Sequence, residues 1–213
     1  MMQPQDYIQN ISPPAANMAS SDRDTTASDR KETLLQQLAV ARTVLSQAVD
    51  LVDNHFTSDE QLTVHSQYMP GSTIGKHLRH ARDHFVLLLE CLQKSGPRVM
   101  SYDVRIRNTP METSRSGAKD ALLETLKQLE EVIPNANADE ALTLHAITPH
   151  AHEFQSTVGR ELWFASLHCV HHWSMVRVIA GELGITLQDD FGFAPSTLVY
   201  QNRQDAPLGK ANL

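Results

Sequence analysis

Apolar residues recur at helical spacing in four stretches of the chain, each bounded by residues that cap or stop helices. The predicted helices cover about 30–54, 73–94, 116–133 and 156–183. The pattern contains no convincing sheet, although two short segments, 62–65 and 142–145, alternate like extended chain. Four helices without a sheet predict an all-α four-helix bundle.

The connections between these helices differ in length, and the lengths bear on topology. The segment from 97 to about 115 is long enough to travel the length of a bundle, which predicts a crossover that leaves helices 2 and 3 parallel. The segment 134–155 is a second long connection. After helix 4, the turn-rich segment 190–198 is predicted not to be helical.

The chain of 213 residues fits one domain with tails. Residues 1–29 are rich in small and polar side chains and are predicted to form a disordered tail. Residues 30–200 then form the helical bundle, and 201–213 form a C-terminal tail.

Charge and composition exclude several classes of function. A net charge of -7 argues against a nucleic-acid or membrane-surface protein, because both need a basic patch. No apolar run is long enough to span a bilayer, and the polar N-terminus lacks the apolar core of a secretory signal. Cys91 and Cys169 both fall in predicted helices, where they are expected to be reduced core thiols. These features predict a cytoplasmic protein.

Histidines in the fourth helix give the first sign of chemistry. The apolar stretch 161–175 contains His168 and His172, which are four residues apart and therefore share one helix face. Two imidazoles at this spacing can bind one metal ion, so a third ligand is needed from elsewhere. The alternative is that these are ordinary histidines bonded to backbone or carboxylate groups.

The second helix supplies the candidates for the third ligand. His77, His80 and His84 lie on one face, and that face also carries apolar residues such as Leu87. If helices 2 and 4 are antiparallel, the rise of about 1.5 Å per residue brings the two histidine groups to similar levels. Three neutral imidazoles with water form an open metal site, and imidazole suits zinc, nickel, iron and copper.

Other residues near this group have open roles. His171 points about 100° away from His172, which suggests a supporting or interface residue. Glu161 shares the face of His168 and could orient a ligand imidazole or pair with an arginine. Cys169 is expected to face the core. The remaining candidates, interpreted as loop residues without an apolar framework, are His145, His150 and His152.

The chain resembles the DinB-like family of four-helix-bundle metalloproteins over roughly residues 30–200. The resemblance is carried by residues 72–83 (STIGKHLRHARD) and 167–172 (LHCVHH). The segments 157–162 (TVGREL) and 191–197 (FGFAPST) resemble a subgroup of that family.

This resemblance implies an up-down-down-up bundle with the long crossover between helices 2 and 3. Its register selects His80 over its neighbours and matches the pair His168 and His172, so the implied metal ligands are His80, His168 and His172. It also implies a divalent metal ion, zinc or nickel, and a homodimer. Family members with a known activity include thiol S-transferases that use low-molecular-weight thiols.

Two functions from different classes follow. The leading hypothesis is a metal-dependent enzyme, a thiol S-transferase or hydrolase that acts on a small electrophile. The alternative is a non-catalytic dimeric binding or stress-response module with a structural or vestigial metal. A weaker third hypothesis is a protein without a cofactor whose histidines sense pH.

Overall fold

Four long helices form the framework of the protein in a computed structural model that describes residues 27–210. They are α1 (Ala27–Asp50), α2 (Ile74–Gln93), α3 (Arg115–Val132) and α4 (Val158–Glu182). These bounds confirm the four predicted helices to within a few residues. α1 continues directly into a π-helical turn, Leu51–His55.

Hydroxyl side chains begin three of these helices. The side chains of Thr73, Ser114 and Thr157 each accept a hydrogen bond from the backbone N–H three residues later. Such a bond satisfies one of the N–H groups that a helix start leaves without an internal partner.

Contacts between the helices give their relative directions. The Trp173 indole N–H donates to the Val44 carbonyl at 2.8 Å, and Gly159 lies against Gln37, so α1 and α4 are parallel. Arg42, within α1, pairs with Glu130 near the end of α3, whereas Arg115 at the start of α3 reaches the carbonyl of Val52 beyond the end of α1, so α3 runs opposite to α1. The histidine contacts described below show that α2 runs opposite to α4.

A three-stranded mixed sheet joins the helices, and the predicted all-α fold class is therefore wrong. Strand β2 (Ala141–Ile147) lies between β1 (Val99–Ser101) and β3 (Ala151–Thr157). β1 pairs with β2 in parallel, and β3 pairs with β2 antiparallel. The crossover between α2 and α3 thus carries a strand, and the segment 134–155 forms most of a hairpin.

The sequence signal for this sheet is weak for physical reasons. β1 has only three residues, and most of β3 is exposed and polar, so neither shows the alternation that marks a half-buried strand. Only β2 alternates, with Leu142 and Leu144 facing the core. The other alternating segment, 62–65, forms no strand, because Leu62 ends a short 3-10 helix that begins at Asp59.

The chain after α4 folds back onto it and forms a fifth helix, α5 (Pro195–Tyr200), which is followed by turns up to residue 210. The prediction that 190–198 lacks helix is therefore wrong in its second half. Phe191 stacks on Trp173 at 6.1 Å between ring centroids. Gly192 has φ 76°, and a side chain there would meet the α4 backbone at 2.8 Å, so glycine is needed for this close approach.

The core fills the space between the helices and includes both cysteines. Cys91 and Cys169 are buried free thiols, which confirms their interpretation as reduced core residues. Within residues 27–210, none of the helices is both long and apolar enough to cross a bilayer. The predicted disordered tail falls almost entirely in residues 1–26, which lie outside the described residues, as do 211–213 of the C-terminal tail.

Candidate metal site between α2 and α4

Five histidines meet where α2 packs against α4. Three come from one face of α2, because steps of three and four residues keep side chains in line. The other two, His168 and His172, come from the facing side of α4. The ring contacts pair His77 with His172 and His84 with His168, so the two helices are antiparallel.

The two α4 imidazoles aim the same nitrogen at one point. The Nε2 atoms of His168 and His172 are 3.0 Å apart. Two nitrogens that each lie about 2.1 Å from one ion at right angles would be separated by about the same distance. The ring centroid of His80 is 4.8 Å from that of His172 and 5.3 Å from that of His168, so His80 lies beside this pair.

A second set of three shares two of these members. His80, His84 and His168 each offer a nitrogen atom, and the three atoms lie within 4.8 Å of one another. His84 Nδ1 is 3.0 Å from the carbonyl oxygen of His80, so a donating Nδ1–H leaves its Nε2 free to bind a metal. His80 and His168 are thus common to both sets, and a metal ion bound here would take its third ligand from His84 or His172.

Burial keeps these imidazoles neutral. It lowers the pKa of His80, His84 and His168 to about 4, and that of His172 to about 2, from the usual value of 6.5. The charges of neighbouring histidines lower each pKa further. Neutral imidazole is the form that binds a metal ion, so these residues fit a divalent cation.

His77 extends the group toward solvent. Its Nδ1 is 2.8 Å from Nδ1 of His172, which leaves Nε2 of His172 directed at His168. Among the described residues, Nε2 of His77 has no hydrogen-bond partner although it is buried. His77 can therefore fix the orientation of His172, as outer partners of ligand histidines commonly do.

A buried carboxylate supports the site from the other side. Glu161 is fully buried and accepts hydrogen bonds from Tyr102 Oη at 2.7 Å and Ser156 Oγ at 2.5 Å. It also pairs with Arg160 at 2.8 Å. The Tyr102 ring stacks on His84 at 4.4 Å, so the tyrosine lies between the carboxylate and the histidine cluster.

A cavity of about 510 Å³ opens beside the histidines. Its lining combines three of the histidine-cluster residues with cationic side chains, one carboxylate and polar residues. The residues are Gly71, Ser72, Lys76, His77, Arg79, His80, Arg105, Arg107, Asn108, Glu112 and His172.

The structure brings together the three predicted ligands, and the exact ligand set stays a prediction. His171 is exposed and lies beside His172 with ring centroids 5.2 Å apart. Within residues 27–210, Glu161 pairs with an arginine, as one of the two sequence interpretations expected, and forms no hydrogen bond with an imidazole of the cluster. The loop interpretation of His145 and His152 is wrong, because both lie on strands, but both are exposed.

Sequence reasoning gave no role in the site to Tyr102, Arg105 or Arg107. All three follow α2 in the connection 97–115, whose unusual length is the signal that points to them. Their positions depend on how that connection crosses the mouth of the site, which no local pattern encodes.

Comparison with known proteins agrees with this geometry. The sequence model of the DinB superfamily matches residues 37–176, a span that includes both histidine helices. A curated relative, FK506-binding protein 5 of Rhizopus delemar, is 34% identical over 171 residues, which are 78% of this chain and 38% of that protein. The chain thus spans well under half of that relative's length.

No solved structure matches the chain. The family model covers well over half of the 213 residues, and its span contains the histidine groups of α2 and α4. This protein therefore belongs to the DinB superfamily.

Proposed function

We propose that this protein is a metal-dependent enzyme, a thiol S-transferase or hydrolase that acts on a small electrophile. The observation that supports it most strongly is the meeting of neutral, buried imidazoles beside an open cavity. His80, His168 and His172 would hold one divalent ion, zinc or nickel. Such an ion supplies positive charge that activates a water molecule or a thiol as a nucleophile.

The residues of the chain contribute orientation and access. His77 holds His172 through the 2.8 Å contact between their Nδ1 atoms, and Tyr102 covers His84. The cavity admits a small molecule to the exposed side of the histidines, where His77, His80 and His172 form part of its wall.

The first test is elemental analysis of tag-free protein purified without chelator. The proposal expects about one zinc or nickel ion per chain, as an open three-histidine site would hold. It also expects turnover of 1-chloro-2,4-dinitrobenzene with cysteine, or of p-nitrophenyl acetate, that is lost on metal removal. Absence of stoichiometric metal would refute the proposal.

A second function is favoured by one observation, namely the surplus of histidines. His80, His84, His168 and His172 lie in one ring cluster, and four imidazoles are enough to close a tetrahedral structural site. In that case the protein would be a non-catalytic binding or stress-response module. Cobalt-substituted protein discriminates the two, because an open site changes its visible spectrum when a thiol is added and a closed site does not.

We further propose that the protein is a homodimer located in the cytoplasm. The family resemblance supports the dimer, and α4 exposes Trp163 and Leu167, which a second copy could cover. The reduced thiols Cys91 and Cys169 support a reducing compartment. Sedimentation equilibrium would test the first statement, and a fluorescent fusion in the source cell would test the second.

A further inference from the structure

The cavity beside the histidines is strongly basic, although the chain carries a net charge of -7. One carboxylate, that of Glu112, lines this cavity. The four cationic side chains that line it are those of Lys76, Arg79, Arg105 and Arg107. A concentration of one charge sign in a concave site, opposite to the charge of the whole molecule, favours a ligand of the other sign.

Only some of these cations are neutralised by the protein. Arg79 is buried and pairs with Asp83 at 2.7 Å and with Glu112 at 2.9 Å. In contrast, Arg105 and Arg107 are exposed and form no ion pair within residues 27–210. The cavity therefore keeps two guanidinium groups whose charge no nearby carboxylate balances.

The segment that carries these arginines is held at both ends against the site. At its start, Tyr102 donates to Glu161 and stacks on His84, and Asp103 accepts a 2.9 Å hydrogen bond from the Ile147 N–H. At its end, Glu112 pairs with Arg79. A Cβ at Gly75 would collide with the Glu112 carbonyl, so glycine there lets this end of the segment lie directly on α2.

Arg105 lies in the same concave site as the histidines. Its side chain lines the cavity together with His77, His80 and His172. A ligand in this cavity can therefore contact both the Arg105 guanidinium and the histidine wall.

A divalent ion would make the need for an anion greater. Imidazole ligands are neutral, so they leave the full charge of the ion uncompensated. The one carboxylate that lines the cavity, Glu112, is already paired with Arg79, which also pairs with Asp83. The balancing negative charge must then come from the ligand or from solution.

We propose that the cavity binds a small-molecule oxyanion, and that the substrate carries a carboxylate or phosphate group held by Arg105 and Arg107 while its reacting end faces the histidines. Guanidinium groups suit this role because their paired N–H donors match the geometry of both anions. The volume of about 510 Å³ fits a molecule of metabolite size. As a statement about the substrate, this inference rests on the proposed function.

The test measures binding of inorganic phosphate and of succinate by isothermal titration calorimetry, with uncharged succinamide as the control ligand. The variant Arg105→Gln/Arg107→Gln should weaken binding of at least one anion by about tenfold or more. Raising the salt concentration should also weaken it, because the arginines are exposed to screening. Succinamide should bind neither protein.

A matched control distinguishes the effect of the cavity arginines from the effect of a change in net charge. The variant Lys31→Gln/Lys127→Gln removes the same two charges from exposed positions outside this cavity, and it should bind each anion within about twofold of the natural protein. Circular dichroism of each variant checks that the fold is kept. Equal weakening in both double variants, or none in the arginine variant, would overturn the proposal.

Titrations of metal-loaded and metal-free protein separate this inference from the proposed function. Binding that depends on the arginines in both forms supports the oxyanion site, even if elemental analysis finds no native metal and so refutes the metal enzyme. Anion binding that requires metal but is unchanged in the arginine variant would overturn the oxyanion site without contradicting the metal function.

Discussion

Two groups of histidines on this chain lie in opposite environments. The cluster between α2 and α4 is packed ring against ring, with its nitrogens directed at one another. The β2–β3 hairpin carries His145, His150 and His152, which are all exposed, and His145 pairs with Glu153 at 3.6 Å. The difference shows that packed helix faces bury and bring together imidazoles, whereas closeness in sequence on an exposed hairpin does neither.

The largest expected difference between the two histidine groups is their effect on metal content. His80→Ala/His168→Ala removes both residues shared by the two possible ligand sets, so bound metal should fall from about one ion per chain to a small fraction. His145→Ala/His152→Ala should keep the natural content. Elemental analysis after gel filtration gives the result, and equal retention in both variants would contradict the site.

The next effect concerns the third ligand. His172→Ala should weaken metal binding by more than about 100-fold. Residues that only support the ligands contribute about 10- to 100-fold, and the loss of a direct ligand should exceed this. His84→Ala should weaken it within that lower range, through altered packing of His168. Competition with a chromogenic chelator measures both, and the reverse order would make His84 the ligand.

Stability against pH gives a third contrast, measured on metal-free protein. Because the cluster histidines have pKa values below the usual 6.5, the folded state binds fewer protons than the unfolded state between about pH 4 and 6.5. The contribution of these histidines to the free energy of unfolding should be fully present above pH 6.5 and should decrease as the pH drops toward 4. After discounting for partial solvent exposure, we expect a total loss on the order of 2 kcal/mol.

Urea unfolding at a series of pH values checks this sign and window. The variant His77→Gln/His84→Gln should flatten the profile, since two buried groups no longer titrate. The hairpin variant His145→Gln/His152→Gln should leave the profile unchanged, because its side chains are exposed. A profile that rises toward pH 4 would contradict the neutral cluster.

The smallest expected effects are changes in stability on removing one polar contact from each region. Tyr102→Phe removes the 2.7 Å hydrogen bond to buried Glu161 and should lower the free energy of unfolding by about 1 to 2 kcal/mol. Glu153→Gln removes an exposed partner of His145 and should change it by less than about 0.5 kcal/mol. Thermal and urea unfolding at pH 7 measure both changes. Equal losses of stability in the two variants would contradict a structural role for the hydrogen bond between Tyr102 and Glu161.

The helices and their histidines could be predicted because their signals are local. The spacing of His168 and His172 fixes a shared face through helix geometry alone, and the threonine and serine caps mark where three helices begin. The same patterns carried the resemblance to the DinB superfamily. These parts of the structure depend on residues within a few positions of one another.

The sheet and the basic cavity could not be predicted in this way. β1 pairs with β2 across about 40 residues of chain, and its three residues are too few to show a period. Arg105 and Arg107 have no pattern of their own, and they reach the site only because contacts at Tyr102 and Glu112 hold their segment in place.

The sequence by itself thus determined which faces of α2 and α4 carry imidazoles and that these faces are apolar enough to be buried. Tertiary structure alone decided how the two faces meet. It set the 3.0 Å approach of His168 and His172, brought His77 and His84 into the same cluster, and laid an arginine segment along its open side. The physical reason is that helix periodicity is written in neighbouring residues, whereas convergence of side chains depends on packing between distant ones.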